Sequence, residues 1–335
     1  MLKRASHLRM ITISTAALCA TLSLAWAPGA QADEVSPAGS GSLRVVASQD
    51  LARLAFAVDT SPAGNSVVTG NSFGVAEGGP LGAGIHDLAR IGSLGASDIA
   101  LDAGSGAVFA TGITDSHLYR VDRTSGSVRH SPAQTSILFH VAVDPRHSRV
   151  YASFDGGVVA FDSRSLQRLW TASLGEFVNP DDIAVDTVLG TVWVTTGDVT
   201  AYGIDGSTGQ VTHHVTLPTG GLTVAVDGPR NALFVGSFGL VYVVKADAVV
   251  GSAPLRGDAS GLDVNPVTGN LYAVSALEGV IGHGYVTEID GATYQRLGLV
   301  RIDGGAALIA TSGSRTYVGA FASWQTPPRL YVLTG

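Results

Sequence analysis

Cysteine is almost missing from this chain of 335 residues, and the single copy, Cys19, lies in its opening stretch. Lys3, Arg4 and Arg9 precede an apolar run from Met10 to Trp26, and Ala30-Gln31-Ala32 comes next, just ahead of Asp33. That layout is a secretory signal with a small-x-small cleavage site, so the exported chain is expected to begin near residue 33. Leu18 stands where a lipoprotein site takes a small residue, which argues against lipidation. Without Cys19 the exported part has no disulfide, no thiol nucleophile, no CxxC metal site and no haem attachment. Its length supplies enough core to fold without such staples. The apolar run is short for a bilayer span and is closed off by Pro28-Gly29, so no membrane span is expected after cleavage.

Positive charge and lysine are scarce as well. With Lys3, Arg4 and Arg9 removed, 17 of the 20 basic residues face 27 acidic ones. An acidic exported protein is a poor partner for nucleic acid or an anionic membrane surface. Lys245 is the one lysine left, in an apparent strand, which leaves Schiff-base chemistry a single candidate. No 3.6-residue periodicity runs through the chain beyond the leader, and no Trp-Asp pair occurs. Charged residues make up only 14%, whereas apolar residues make up 45% and glycines number 43. Such a chain buries most of its strand surface and turns often.

What is present is a repeat. DIALDAGSGAVFATG begins at Asp98, HVAVDPRHSRVYASF at His140, DIAVDTVLGTVWVTT at Asp182, TVAVDGPRNALFVGS at Thr223 and GLDVNPVTGNLYAVS at Gly261. Each couples an apolar strand ending in Asp or Asn to a turn and a second strand with a bulky residue. From Asp102 to Asp144, Asp186, Asp227 and Asn265 the spacings are 42, 42, 41 and 38. Weaker copies around Asp59 and Ala310 make seven. HLYRVDRTSGSV, GVVAFDSRSLQRL, VTAYGIDGSTGQV and GYVTEIDGATYQRL add a further strand, Asp-containing turn and strand to four of them. Four short strands per repeat of about 42 residues predict an all-β, seven-bladed β-propeller from 43 to 335, after a signal at 1–32 and a short flexible segment at 33–42. Stacked blades bury both faces of the inner strands, which explains runs such as IAL and VAV.

VAVDPRHSRVYAS with VVAFDSRSL, and LDVNPVTGNLYAV with VTEIDGATYQRL, resemble the repeats of YVTN (surface-layer-type) seven-bladed propellers, with NHL-repeat proteins as near relatives. The resemblance covers essentially 43–335, although no literal YVTN tetrapeptide occurs and the first repeat carries the glycine-rich insertion GVAEGGPLGAG. It implies the fold and leaves function open, since the architecture hosts binders, lactonases, lyases and scaffolds. The seventh repeat supplies ALIA, RTYVGA and RLYVLTG, three strands of four. The fourth is expected from SLRVVAS near the start, with residues 43–48 pairing beside 330–334 and closing the ring.

In such a ring the d–a and b–c connections surround one mouth of the axial channel. The residues opening strand a are Ala55, Asp98, His140, Asp182, Thr223, Gly261 and Ala306; Asp181 lies beside them, and the b–c loops add Asp115, His117, Asp155, Asp198, Glu278, His283 and Trp324. Three readings of Asp98, His140 and Asp182 stay open. They could hold Ca²⁺ or another divalent cation, His140 could be a general base oriented by a carboxylate, or the acids could cap backbone N–H groups where blades begin. Asp102, Asp144, Asp186 and Asp227 fall at a–b turns on the opposite face and read as turn formers. Gly70-Asn71-Ser72-Phe73-Gly74 matches G-x-S-x-G, but no helix can come after it, so it is not a nucleophile elbow. Tyr151, Trp193, Phe234, Tyr272 and Tyr317 recur at one strand-b position and read as packing between blades. Trp324, in FASWQTPP, is a candidate for stacking on a sugar or gripping a peptide. The favoured expectation is a secreted, monomeric, non-catalytic propeller that binds a protein or cell-envelope glycan through its mouth. A channel-mouth hydrolase or lyase of lactonase type is the alternative.

Overall fold

The computed structural model describes residues 43–335 except 62, 80–83, 177, 277–281, 314 and 322–326. Among the described residues, twenty-eight strands form seven four-stranded antiparallel sheets, and in six of them the spatial order is that of the chain. Blade 1 comprises β2 (Ala55–Thr60) to β5 (His86–Arg90), and blade 2 runs from β6 (Ala96–Leu101) to β9 (Val128–His130). Blade 3 runs from β10 (Leu138–Asp144) to β13 (Arg168–Ser173), and blade 4 from β14 (Asp182–Asp186) to β17 (Val211–Thr216). Blade 5 runs from β18 (Thr223–Asp227) to β21 (Ala248–Pro254), and blade 6 from β22 (Asp258–Val264) to β25 (Arg296–Asp303). Blade 7 takes β26 (Gly305–Ser312), β27 (Arg315–Phe321) and β28 (Arg329–Thr334) from the end of the chain. Its fourth strand is β1 (Arg44–Asp50), antiparallel to β28 from Arg44 opposite Thr334 to Asp50 opposite Arg329. The expected closure is therefore observed. No helix among the described residues is long and apolar enough to cross a membrane.

The core is divided rather than central. Seven hydrophobic clusters each join two neighbouring blades, and the set runs round the ring, including one between blades 7 and 1 built on Tyr317, Leu330, Val332, Val58 and Val67. Each fully buried Val, Leu or Phe contributes about 1.5–3 kcal/mol, so every junction is stabilised by its own apolar contacts. Tyr151, Phe234, Tyr272 and Tyr317 are buried in these clusters, as their recurrence predicted. The outer strands are the wet ones: Val128, Arg129 and His130 of β9 are all exposed.

The turn acids serve their own blades. Asp102, Asp144 and Asp186 are buried, and each Oδ1 accepts the backbone N–H groups two and three residues on, at 2.8–3.2 Å. Asp122, Asp162, Asp205 and Asp290 repeat the motif at c–d turns. The loop closes through a left-handed residue four places on, Gly190 (φ 72°) after Asp186 and, with the cost of a side chain there, Leu166 (φ 59°) after Asp162. After Ser72 the chain makes a hairpin into β4 (Gly74–Gly78), with Asn71 Oδ1 accepting from Phe73 and Gly74 N–H, so no elbow exists at G-x-S-x-G.

Two registers differ from the sequence reading. Asp59 lies opposite Val68, where Ala100 faces Phe109 and Ala142 faces Tyr151, so it sits two residues inside the strand. Ser61 holds the turn, taking the Ser66 carbonyl with its N–H. In blade 7 Ala310 faces Tyr317, so the turn comes after Ser312. The positions equivalent to Asp98 are consequently Ala57 and Leu308, not Ala55 and Ala306.

Candidate functional site

Strand a is the inner edge of every sheet, so alternate N–H groups point at the channel with no strand to receive them. Four aspartates answer that need. Asp98 Oδ1 accepts from Ile99 N–H at 2.9 Å, and Oδ2 accepts from Val141 N–H of blade 3 at 2.8 Å. Asp182 Oδ1 accepts from Ile183 N–H at 2.8 Å, and Oδ2 accepts from Val224 N–H and the Thr223 hydroxyl of blade 5 at 2.9 and 2.6 Å. One tier deeper, Asp59 accepts from Thr60 and from Leu101 of blade 2 at 2.7 and 2.6 Å. Asp263 accepts from Val264 and from the N–H and hydroxyl of Thr311 of blade 7, at 2.8, 2.6 and 3.0 Å. These carboxylates lace blades 1 to 2, 2 to 3, 4 to 5 and 6 to 7. Asp59 and Asp263 escaped the sequence reading because the first was counted with the turn acids and the second is one of a pair without siblings.

The other three junctions are bridged at the opposite face. Tyr151 Oη and Arg149 Nη1 of blade 3 donate to the Gly206 carbonyl of blade 4, at 3.2 and 3.0 Å. Tyr317 Oη and Arg315 Nη1 of blade 7 donate to the Gly64 carbonyl of blade 1, at 2.9 and 2.8 Å. Arg230 of blade 5 reaches the Thr268 and Gly269 carbonyls of blade 6, at 3.4 Å each.

His140 holds the mouth position between Asp98 and Asp182. Its Nδ1 is 3.8 Å from Asp98 Oδ2, beyond hydrogen-bond distance, and its Nε2 is buried with no partner among the described residues. Burial pushes the Asp98 carboxyl up to about 6, with the His140 charge and the Val141 N–H pulling it down and Asp182 adding to the rise. With 22% of its side chain accessible, Asp98 still meets water at the mouth. Asp181 is likewise raised to about 6, by burial first, opposed by His140 and reinforced by Asp182 and Asp198. Deeper, burial lifts Asp59 to about 7 and Asp263 to about 6 against their backbone bonds.

Asp98, His140, Asp181 and Asp182 thus share one electrostatic neighbourhood, but they do not form a ligand set. Among the described residues no three His, Cys, Asp or Glu side chains are placed to hold a metal ion. Asp115 and His117 form a separate pair: Asp115 Oδ1 meets His117 Nδ1 at 2.6 Å, and Oδ2 accepts from Tyr119 Oη at 2.6 Å. Burial works upward on Asp115, yet these bonds outweigh it and keep the carboxyl below its usual range. Tyr119 is raised well above an ordinary phenol, by burial and then by that carboxylate. Asp198 accepts from Thr196 Oγ1 and Thr200 N–H and stabilises its own loop. Trp324 and Glu278 lie outside the described residues. The sequence reading also passed over Phe238, which is 54% exposed in the b–c turn of blade 5, beside the blade whose turn exposes Val199.

No protein-family model matches the chain, and no curated protein matches it either.

Proposed function

We propose that this is an exported, monomeric propeller of the YVTN or NHL-like type that binds a protein or a cell-envelope glycan through its mouth face, without catalysis. One observation carries the reading: Asp98 and Asp182 accept backbone N–H groups with both carboxylate oxygens, which leaves neither free to work on a substrate. On that face Phe238, Val199 and Leu94 are exposed, Asp155 and Asp181 stand in the rim, and Arg53 adds a positive charge. An exposed aromatic among polar neighbours suits recognition. Binding of fluorescently labelled residues 33–335 to isolated cell envelopes tests it, with protease-treated and periodate-oxidised envelopes separating protein from glycan. Saturable binding that Phe238→Ser weakens at least fivefold is expected. Absent or unsaturable binding, or binding indifferent to Phe238, contradicts the reading.

The unpartnered Nε2 of His140 favours one alternative, a lactonase-type hydrolase or lyase with that nitrogen as base. A lactone panel measured on the wild type beside His140→Ala decides it: a rate above background that disappears with the imidazole establishes catalysis, and equal rates dismiss it.

A further inference from the structure

The junction between blades 1 and 2 departs from the repeat at one position and differs from the bridged junction of blades 3 and 4 at two more. Phe109, Tyr151, Trp193, Phe234, Tyr272 and Tyr317 stand at one strand-b position, opposite Ala100, Ala142, Ala184, Ala225, Asp263 and Ala310. Blade 1 has Val68 there, opposite Asp59. Two residues earlier, where blades 3 and 7 place Arg149 and Arg315, blade 1 has Ser66. Across the junction Arg123 comes directly after the turn residue Asp122, at the position that Gly206 holds after Asp205 in blade 4. The tyrosine-to-carbonyl bridge of blades 3 and 4 is thereby inverted. Arg123 reaches back from blade 2, donating from Nη2 to Ser66 Oγ at 2.7 Å and pairing with Glu77.

Beside this pair lies an open cleft of about 350 Å³, within the range of small-ligand sites. Glu77, Ser105, Gly106, Asp122, Arg123 and Thr124 line it, on the face opposite the mouth. Arg123 and Glu77 are mostly buried, with 21% and 18% of their side chains accessible. Arg123 Nε is buried without a partner among the described residues. Asp122 receives its bonds on Oδ1, from Thr124 N–H, Ser125 N–H and Ser125 Oγ, leaving Oδ2 open. A charge pair in this place is a costlier brace than a tyrosine, because both ions lose water. It nevertheless presents donors and acceptors together at one wall.

We propose that this cavity is a second ligand site, independent of the mouth-face reading, that takes a neutral polyhydroxylated molecule, a saccharide residue. Two carboxylates disfavour an anion and the guanidinium disfavours a cation. Vicinal hydroxyls can donate to Glu77 and Asp122 while accepting from Arg123. The lining residues include no aromatic ring, so recognition rests on hydrogen bonds at the sugar's edge rather than on stacking.

Saturation-transfer NMR of residues 33–335 with the methyl glycosides of glucose, mannose and N-acetylglucosamine tests the site. At least one glycoside is expected to bind, in preference to acetate and to arginine methyl ester. Val68→Tyr with Arg123→Gly rebuilds the arrangement of Tyr151 and Gly206, removes the guanidinium from the cleft and should abolish the signal while leaving envelope binding at the mouth intact. Glu77→Gln keeps the shape and changes one acceptor, so it should weaken binding about tenfold even if the double variant fails to fold. Absence of glycoside binding, persistence of binding in the folded double variant, an unaltered affinity in Glu77→Gln, or preference for either charged probe overturns the proposal.

Discussion

The junction between blades 4 and 5 and the junction between blades 3 and 4 meet the same requirement from opposite faces. At the first, the Asp182 carboxylate at the mouth accepts N–H and hydroxyl groups from the next blade. At the second, Tyr151 and Arg149 donate to the Gly206 carbonyl at the far turn, and Trp170 Nε1 joins them at 3.1 Å. Acids that look catalytic from their place in a channel mouth thus join blades, and at two laced junctions a far-face donor acts as well: Arg129 Nη1 on the Arg164 carbonyl between blades 2 and 3, and Asn265 Nδ2 on the Gly313 carbonyl between blades 6 and 7. The two devices also differ in kind: burial raises the lacing carboxyls of Asp59, Asp98 and Asp263 to about 6 to 7, so they titrate near neutrality, and a tyrosine–carbonyl bond does not.

Four experiments bear on that difference, in falling order of expected effect. Deleting residues 33–48 removes most of β1 and the buried Leu43, bares an edge of β28 and opens the ring that both devices hold shut. The cost should be on the order of 5 kcal/mol, from lost burial and ladder bonds, read by chemical denaturation. An unchanged midpoint would mean the ring does not depend on its closing strand.

Asp263→Asn keeps the shape of a lacing residue deep in the channel but turns one acceptor into an NH₂ facing donors. It should cost about 1–3 kcal/mol, the penalty for a buried donor left unpaired. A shift below the error of the melt would show that the bonds to Thr311 contribute nothing.

The laced junctions should make stability depend on pH. Asp59, Asp98, Asp181 and Asp263 titrate higher folded, near 6 to 7, than unfolded, near 3.8, so the folded state binds more protons between those values. Their contribution is complete below about 4 and is lost as pH rises through 6–7. Melting temperature should therefore fall from pH 5 to pH 7.5. Asp115 and Asp205, whose folded pKa values are lowered, act oppositely and only in stronger acid. A melting temperature that climbs across pH 5–7.5 contradicts this.

Tyr151→Phe is the smallest perturbation. The Gly206 carbonyl keeps Arg149 and Trp170, so the loss should be about 1 kcal/mol or less and equal at pH 5 and pH 7.5. Parallel melts at the two values check it, and a pH-dependent loss would blur the distinction between the devices.

The propeller and its closure were legible because the pattern is local and periodic: apolar triplet, turn acid, strand, with RLYVLTG short of one partner. The register of blade 1 was not, because the AVDTSP segment offers Asp59 as a decoy two residues ahead of Ser61, the residue that makes the turn. The fate of the mouth acids was hidden for a different reason. The groups that occupy Asp98 and Asp182 are Val141 and Val224, a full repeat away, and a strand pattern does not show which edge N–H lacks a partner. Arg123 was concealed by its ordinary place in a turn; the signal was Val68, the one aliphatic residue in a column of aromatics.

The most direct test of the central claim is the melting temperature of Asp182→Asn, a mouth residue of the kind expected to bind or catalyse, set beside that of Asp263→Asn. If these acids lace blades, the two variants melt below the wild type by similar amounts, because each loses an acceptor for the next blade. If Asp182→Asn melts with the wild type while Asp263→Asn does not, the Asp182 carboxylate is free for chemistry and the account is wrong.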